Sequence, residues 1–490
     1  MSQRKPSVKR RAARKPPASG RKPTGRLTQR EIAMSANELA AFQAYFEPLF
    51  VRRDQRDWFR FYMCGQLSNL ERKTIEPMVL TLLGVDGSLV RTAQHFLGQS
   101  TWPVEPFLVR AQGLVAEWLG EPDGIVVVDG SGFPKQGSHS VGVAHQYCGH
   151  LGKLANCQQG VFLLYASRRG HAFVDQRLYV PGSWFTDEYQ TRRQACQMPT
   201  DLTFHTEPDL GVEMIAELIQ RAQIPFGWVT CDERYGEIPA FLDQIEALGK
   251  WYFAEVASDT RAWLRTPPVE PPGRGLFGRP RIHPRVKRTA PRPYEMRELV
   301  KQIPAAHWYR RKIKEGSKGP LMAEFACFRV TPIRNELPGQ RCWVVFRRSV
   351  GPEPEVKYFV SNAPASCTLA EFIRVSSLRW PIETGLQEGK GEVGMDHYET
   401  RTWLGWQHQM TQAILAHLFL VRLQLVIQKK SRSDHRPDAP TYCTRHRGRS
   451  DKVSRHVGHS ALSSAPKLRR LLLAPQTDTL QPRLGCAQAA

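Results

Sequence analysis

Ile125-Val126-Val127-Val128-Asp129-Gly130-Ser131-Gly132 sets the architecture. Four consecutive apolar residues, most of them β-branched, are too few for a buried helix and read as a strand covered on both faces. The run ends in an acid followed by turn-forming residues, so the pattern predicts a strand over 125–128 with Asp129 at its C-terminal end. Phe226-Gly227-Trp228-Val229-Thr230-Cys231 reads the same way and delivers Asp232. Between them, Gly160 to Ala166 and His171 to Val180 form a hairpin about Ser167-Arg168-Arg169-Gly170. Leu210 to Gln220 is an amphipathic helix. A helix near Ile238 to Leu248 and a strand from Trp251 to Val256 follow. Strand, hairpin, helix, strand, helix, strand describes an α/β fold, a mixed sheet with helices on its faces.

Outward from this core the character changes twice. From Ser35 to Gly120 apolar residues recur at three- and four-residue steps, as in Phe42, Tyr45, Phe46 and Leu49, and predict a set of short helices. Ser88 is placed to cap one of them. Arg52, Arg53, Arg56, Arg60 and Arg91 on their polar faces suit a DNA-end-binding module, with a plain helical packing domain as the other reading. After Val256, residues 258–320 are rich in Pro and Arg. Arg274, Arg279, Arg281, Arg285, Lys287, Arg288, Arg292 and Arg297 precede Trp308-Tyr309-Arg310-Arg311-Lys312, a mixture that grips phosphates and stacks on bases. Three strand-like runs, Leu321 to Pro332, Gln340 to Val350 and Glu355 to Ser361, complete a β-rich insertion. Thr368 then caps a helix, and a long helix is expected from Thr402 to Gln428. The chain thus divides into a disordered basic arm (1–34), a helical DNA-binding domain (35–120), a catalytic core (121–257 and 365–428), a basic β-rich insertion (258–364) and a basic flexible tail (429–490).

Charge narrows the partner. The 490 residues carry 69 Lys and Arg against 46 Asp and Glu, a net +23, and eleven of those cations fall in the first 30 residues without one acid. Such an excess favours a polyanion, nucleic acid before an anionic membrane. The N-terminus has no apolar signal-like run. The stretch Ala413 to Ile427 is interrupted by His417, Arg422 and Gln424 and reads as a buried helix rather than a membrane span. Ten Cys without a C-x-x-C pair argue against a zinc ribbon and for reduced thiols in a cytoplasmic, nucleoid-associated protein.

The chemistry rests on Leu378-Arg379-Trp380-Pro381-Ile382-Glu383-Thr384-Gly385-Leu386-Gln387-Glu388-Gly389-Lys390. Spacings of 4 and 7 residues return Arg379, Glu383 and Lys390 to one helical face, within about 40° at about 100° per residue. Pro381 fits the first turn of a helix, which places Arg379 at or just outside its start. Asp129, Asp232 and Glu383 come from distant segments and repel one another unless a cation joins them. Mg²⁺ or Mn²⁺ does so through oxygen, and two such ions activate a water or 3′-hydroxyl against a phosphodiester. Glu233 and Asp396 compete as ligands. The sequence contains no G-x-S-x-G, no Walker loop and no H-E-x-x-H.

These residues carry a resemblance. Asp129-Gly130-Ser131-Gly132-Phe133-Pro134-Lys135, then Cys231-Asp232-Glu233-Arg234, then Arg379-Trp380-Pro381-Ile382-Glu383 with Lys390, resemble the DDE transposases of bacterial insertion sequences, over about residues 40–425. The resemblance implies a ribonuclease-H-like core with a β-rich insertion ahead of the helix bearing the last acid. It implies Asp129, Asp232 and Glu383 as catalytic ligands of two Mg²⁺ (or Mn²⁺), and Arg379 and Lys390 as contacts to transposon-end phosphates. Lys135 and Trp380, beside the first and last acids, join them as DNA-facing candidates. Ser376 stands where that family's signature has Tyr. The expected partners are DNA, as terminal inverted repeats and target, and a second copy of the chain in a homodimer on DNA; no membrane is involved. Two other readings stay open at this point, a catalytically silent DNA-binding protein derived from a transposase and a metal-dependent nuclease of the same fold.

Overall fold

A computed structural model of the chain describes residues 29–149, 151–273, 281–316 and 319–433. The arm before residue 29, Arg274 and Arg279, and the tail from residue 434, with its Lys467 to Leu473 segment, lie outside the described residues.

Five helices open the described chain: α1 (Gln29–Phe46), α2 (Arg53–Leu67), α3 (Ile75–Leu82), α4 (Gly87–Gly98) and α5 (Glu105–Leu119). Helical periodicity turns Leu39, Phe42 and Phe46 of α1, and Trp58, Phe59 and Tyr62 of α2, into one core. α1 begins at Gln29, inside the segment read as an arm. The start of α4 differs from expectation. Asp86 is the cap, its Oδ1 accepting the Ser88 N–H at 2.8 Å and the Ser88 hydroxyl at 2.6 Å. A carboxylate at that position also complements the positive end of the helix dipole. Of the basic face, Arg60 pairs with Glu47 at 2.6 Å and Arg56 donates to the Phe50 carbonyl, whereas Arg53 and Arg91 are exposed.

The sheet follows. Its central strands are β1 (Ile125–Pro134), β2 (Ala144–Cys148), β3 (Lys153–Ser167) and β4 (Gly170–Tyr179), then β5 (Trp228–Cys231) and β6 (Trp251–Val256). Helices α6 (Glu207–Arg221) and α7 (Pro239–Ala247) connect β4 to β5 and β5 to β6. β1, β5 and β6 are parallel, and β3 joins β1 antiparallel with β4 beyond it. The strands of 258–364 extend this same sheet rather than standing apart. β7 (Arg261–Trp263), β8 (Tyr309–Gly316), β9 (Gly319–Arg334), β10 (Cys342–Ser349) and β11 (Val356–Ser361) enter it through β11, which pairs antiparallel with β6. Among the described residues the result is a mixed α/β fold on a thirteen-stranded sheet.

β1 does not stop at Val128. It continues through Asp129 to Pro134 because the long β3 pairs with it over the whole length, Ile125 opposite Ala166 and Pro134 opposite Cys157. Only its parallel partner stops early, since the β1–β5 pairing ends at Val127 and Thr230. Asp129 therefore lies inside a strand, at the point where β1 outruns β5.

Both faces of the sheet are covered. A Cβ on Gly211 of α6 would lie 3.1 Å from Val128, while a Cβ on Gly385 would lie 2.6 Å from Leu164, which is opposite Val127. Alternate residues of β1 thus face opposite helical layers. The second layer is α8 (Leu369–Arg379), α9 (Pro381–Val393) and α10 (Trp403–Ser433). Thr368 caps α8, accepting from Glu371 N while Glu371 Oε2 accepts from Thr368 N at 2.7 Å. α10 is long and apolar enough to cross a membrane, yet Ala413, Leu415, Ala416, Leu418 and Phe419 are wholly buried, so it is a core helix. It binds the helical region to the sheet: Tyr62 donates to Gln409 Oε1, and the His408 ring nitrogens lie 2.9 Å from the carbonyls of Leu97 and Trp102. The eight described cysteines are free thiols.

Candidate active site

Register builds the site. Val127 lies opposite Thr230 and Cys231 opposite Ala254. Two residues past the first pair and one past the second, Asp129, Asp232 and Glu255 fall in one row on one face of three parallel strands. Asp129 shares its face with Val127, the face under α8 and α9. Open α/β sheets bind ligands at the carboxyl ends of their parallel strands, and this row lies there, with Asp232 just past β5, Glu255 next to last in β6 and Asp129 where β1 outruns β5.

Arg379 and Glu383 reach the row from above. They do not share one helix as the spacing predicted. Arg379 is the last residue of α8 and Glu383 lies in the first turn of α9, with Pro381 at the start. Trp380 between them keeps helical backbone angles, and its carbonyl accepts the Thr384 N–H at 3.3 Å. The register of side chains survives the junction. Arg379 donates from Nε to the Cys231 carbonyl at 3.1 Å and pairs with Glu255 at 3.1 Å and Glu383 at 3.8 Å. The Glu383 side chain is 59% exposed and open to a ligand.

The electrostatics show unbalanced negative charge. Burial, and then the neighbouring Asp232, push the Asp129 carboxyl up to about 7; Glu383 adds to the push, and Arg379 and the Gly130 N–H oppose it. Gly130 N donates to Asp129 Oδ1 at 2.7 Å. Burial also raises Asp232, against the Tyr235 N–H, Arg379 and Arg234. Asp232 caps the short helix Glu233–Gly236, with Oδ1 3.3 Å from Tyr235 N.

The four DNA-facing candidates are placed differently. Arg379 is mostly buried among carboxylates. Lys390 lies along α9 from the acids, with Nζ donating to the Gly132 carbonyl at 3.1 Å. Lys135 donates to the Tyr398 carbonyl at 3.1 Å and sits 3.3 Å above the Tyr398 ring. Trp380 is half-buried, 5.6 Å from the Arg347 guanidinium. Of the competing acids, Asp396 faces Lys135 and Lys390, and Glu233 is exposed. At Ser376, which is buried, the neighbour is Arg347, whose Nη1 lies 3.4 Å from the hydroxyl.

Several residues escaped the sequence reading. Glu255 is the next-to-last residue of the third parallel strand, so the logic that selected Asp129 and Asp232 would have found it. Glu207, Arg234 and Arg347 offered no such signal. Glu207 lies on the opposite face, paired with Arg234 at 2.5 Å, and a Cβ on Gly130 would lie 3.0 Å from its Oε2. Burial raises its pKa against Arg234 and Gln159.

Comparison with known proteins follows the same line. The family described as DDE superfamily endonuclease matches residues 41–320. The probable transposase for insertion sequence element IS701 from Microchaete diplosiphon is 22% identical over 355 residues, 72% of this chain and 79% of that protein. Among solved structures, the piggyBac transposase synaptic complex with hairpin DNA aligns over 93% of this chain and 80% of that one, at 10% identity and TM-score 0.40. The NurA nuclease from Sulfolobus solfataricus aligns over 69% and 94%, at 11% identity and TM-score 0.24. With more than half of its length matched, the chain belongs to the DDE superfamily of endonucleases and is an enzyme of the DDE transposase type.

Proposed function

We propose that this transposase cleaves DNA at the terminal inverted repeats of an insertion sequence and joins the freed 3′ ends to target DNA, with Asp129, Asp232 and Glu383 as its metal ligands. Membership in the superfamily carries divalent-metal chemistry on DNA. The core order β6-β5-β1-β3-β4, three parallel strands followed by two antiparallel ones, supports a ribonuclease-H-like assignment.

The observation that carries the site is the convergence of Asp129 and Asp232, adjacent by strand register, with Glu383, which shares Arg379 with that row; burial and the acidic neighbours push the Asp129 carboxyl up there. An all-oxygen donor set with surplus negative charge fits hard divalent cations, two Mg²⁺ or Mn²⁺. Such ions supply an activated water or 3′-hydroxyl and stabilise the leaving oxygen of the phosphodiester. The chain's own residues do the rest. The strand register fixes Asp129 and Asp232 side by side. Arg379 holds Glu383 toward them and presents positive charge to the scissile phosphate. Lys390 and Lys135 extend that charge along β1, and Trp380 supplies an aromatic face for a base. The net charge of +23 draws the duplex in. A homodimer on DNA would hold both ends of the element together.

Labelled end-bearing duplexes test the reading. Asp129→Asn, Asp232→Asn and Glu383→Gln should each abolish Mg²⁺-dependent nicking while leaving gel-shift affinity within about threefold. Undiminished cleavage by any one of them removes that residue from the site. Nicking without joining to target would instead make the enzyme a hydrolytic nuclease.

A further inference from the structure

On the far side of α9 from Glu383 lies a second group of metal-competent side chains. Glu388 is five residues on, about 140° around the helix at about 100° per residue, so it turns away from the acidic row. Its Oε2 lies 3.2 Å from His417 Nε2 of α10 and 3.5 Å from His171 Nε2 of β4. All three donor atoms fall within 4.8 Å of one another. The side chains of His171, Glu388 and His417 are 11%, 11% and 1% exposed.

His417 Nε2 lies at the long end of the hydrogen-bond range from Glu388 Oε2 and His171 Nε2 beyond it, whereas both separations suit ligands that share an ion. A charge-assisted N–H···O⁻ contact closes to about 2.7–2.9 Å. Ligands about 2.0–2.2 Å from a tetrahedral Zn²⁺ sit roughly 3.2–3.6 Å from each other. His171 Nε2 is buried with no hydrogen bond of normal geometry, and it lies within 4.8 Å of His417 Nε2, close enough for both to meet one ion. Apolar groups wall the site, the Phe173 ring 5.2 Å edge-on from His417 and a Cβ on Gly385 3.7 Å from the His171 ring, and the exposed edge of His171 and Glu388 leaves a water to complete a tetrahedral set. Two imidazole nitrogens and one carboxylate suit a borderline transition metal and not the all-oxygen preference of Mg²⁺.

We propose that His171, Glu388 and His417 form a structural site for a divalent transition ion of the Zn²⁺ class, pinning the helix that carries Glu383 to β4 and α10. The site is independent of the assignment of the acidic row. Its role is positional: one ion ties three elements distant in sequence and fixes how far α9 stands from the sheet.

The full chain, stripped with EDTA and titrated with Co²⁺, reads the site directly. One equivalent should give the visible d–d bands of nitrogen-ligated Co²⁺, displaced by Zn²⁺. The bands should persist in an Asp129→Asn/Glu383→Gln double variant and vanish in His417→Asn and Glu388→Gln. The unmodified chain supplies a check that needs no folded variant. Equimolar Zn²⁺ should raise Tm by several degrees where equimolar Mg²⁺ does not. Absence of the bands from the unmodified chain, their persistence without His417, or their loss with the Asp129 and Glu383 changes would overturn the proposal. So would a Tm indifferent to Zn²⁺.

Discussion

The Nε–H of Arg379 donates to the backbone carbonyl of Cys231 at 3.1 Å. This bond joins the last residue of α8 to the residue preceding Asp232. The same guanidinium meets Glu255 on β6 and Glu383 on α9, so one side chain sets the spacing between sheet and helix at the acidic row. A planar, five-donor group can hold a carbonyl and two carboxylates at once, whereas an ammonium on a flexible stem cannot. Arg379→Lys should therefore lower strand cleavage by about 10–100-fold while keeping the charge and most of the DNA affinity. Single-turnover cleavage of end duplexes beside gel-shift titration checks this; equal rates for the two proteins would show that the geometry does not depend on Arg379.

Glu255 is the buried partner in that arrangement. It takes Arg379 at 3.1 Å and Lys357 at 2.8 Å with only 8% of its side chain exposed. Removing it costs about 1 kcal/mol and not the full penalty of a stranded buried charge, because Asp129, Asp232 and Glu383 still face Arg379 and Lys357 is partly exposed. Glu255→Ala should lower the unfolding free energy from urea titration by that amount, with a lower midpoint, and reduce cleavage through the freed Arg379. A midpoint within experimental error of the parent would mean that water solvates both cations in its absence.

The sequence made the strand skeleton legible because apolar runs such as 125–128 and 226–231 occur only where both faces are covered. It could not show that Asp129 lies inside β1. That depends on the long β3 pairing with all ten residues of β1, a tertiary pairing with no local signature. The helical spacing correctly placed Arg379 and Glu383 on one side, because Trp380 keeps helical angles across the junction of two helices. Glu255 was readable by the strand-end argument. Glu207, Arg347 and His171 were not, since each is brought to its neighbours by packing between segments tens to hundreds of residues apart.

Asp129 makes stability depend on pH in a direction opposite to most paired carboxylates. Its carboxyl rises from 3.8 to about 7 on folding, from burial and then Asp232. Between those values the folded chain holds a proton that the unfolded chain has released, so stability falls as pH rises from about 4 to 7 and is flat above. Asp129→Asn removes that penalty. In EDTA at pH 8 the variant should melt above the parent by about 1–3 °C, and at pH 4 the two should coincide. Mg²⁺ in large excess over protein, unlike an equimolar amount, should stabilise the parent and not the variant. A variant that melts below the parent at pH 8 would show that the acidic row carries no surplus charge.

Two glycines of α9 separate helix position from helix stability. A Cβ on Gly385 would lie 2.6 Å from Cδ1 of the fully buried Leu164, beneath the turn that carries Glu383. Gly391 is exposed on the same helix with no atom within 4 Å of such a Cβ. Gly385→Ala must lift α9 or displace Leu164 from its place opposite Val127, at a cost of about 1–3 kcal/mol. Because Glu383 moves with the helix, cleavage should fall by more than the loss of folded protein explains. Gly391→Ala lowers only the entropy of the unfolded chain and should add about 0.5–1 kcal/mol with cleavage unchanged. Thermal melts paired with single-turnover rates decide the matter. If Gly385→Ala is as stable and as active as Gly391→Ala, the height of α9 above the sheet does not govern the placement of Glu383.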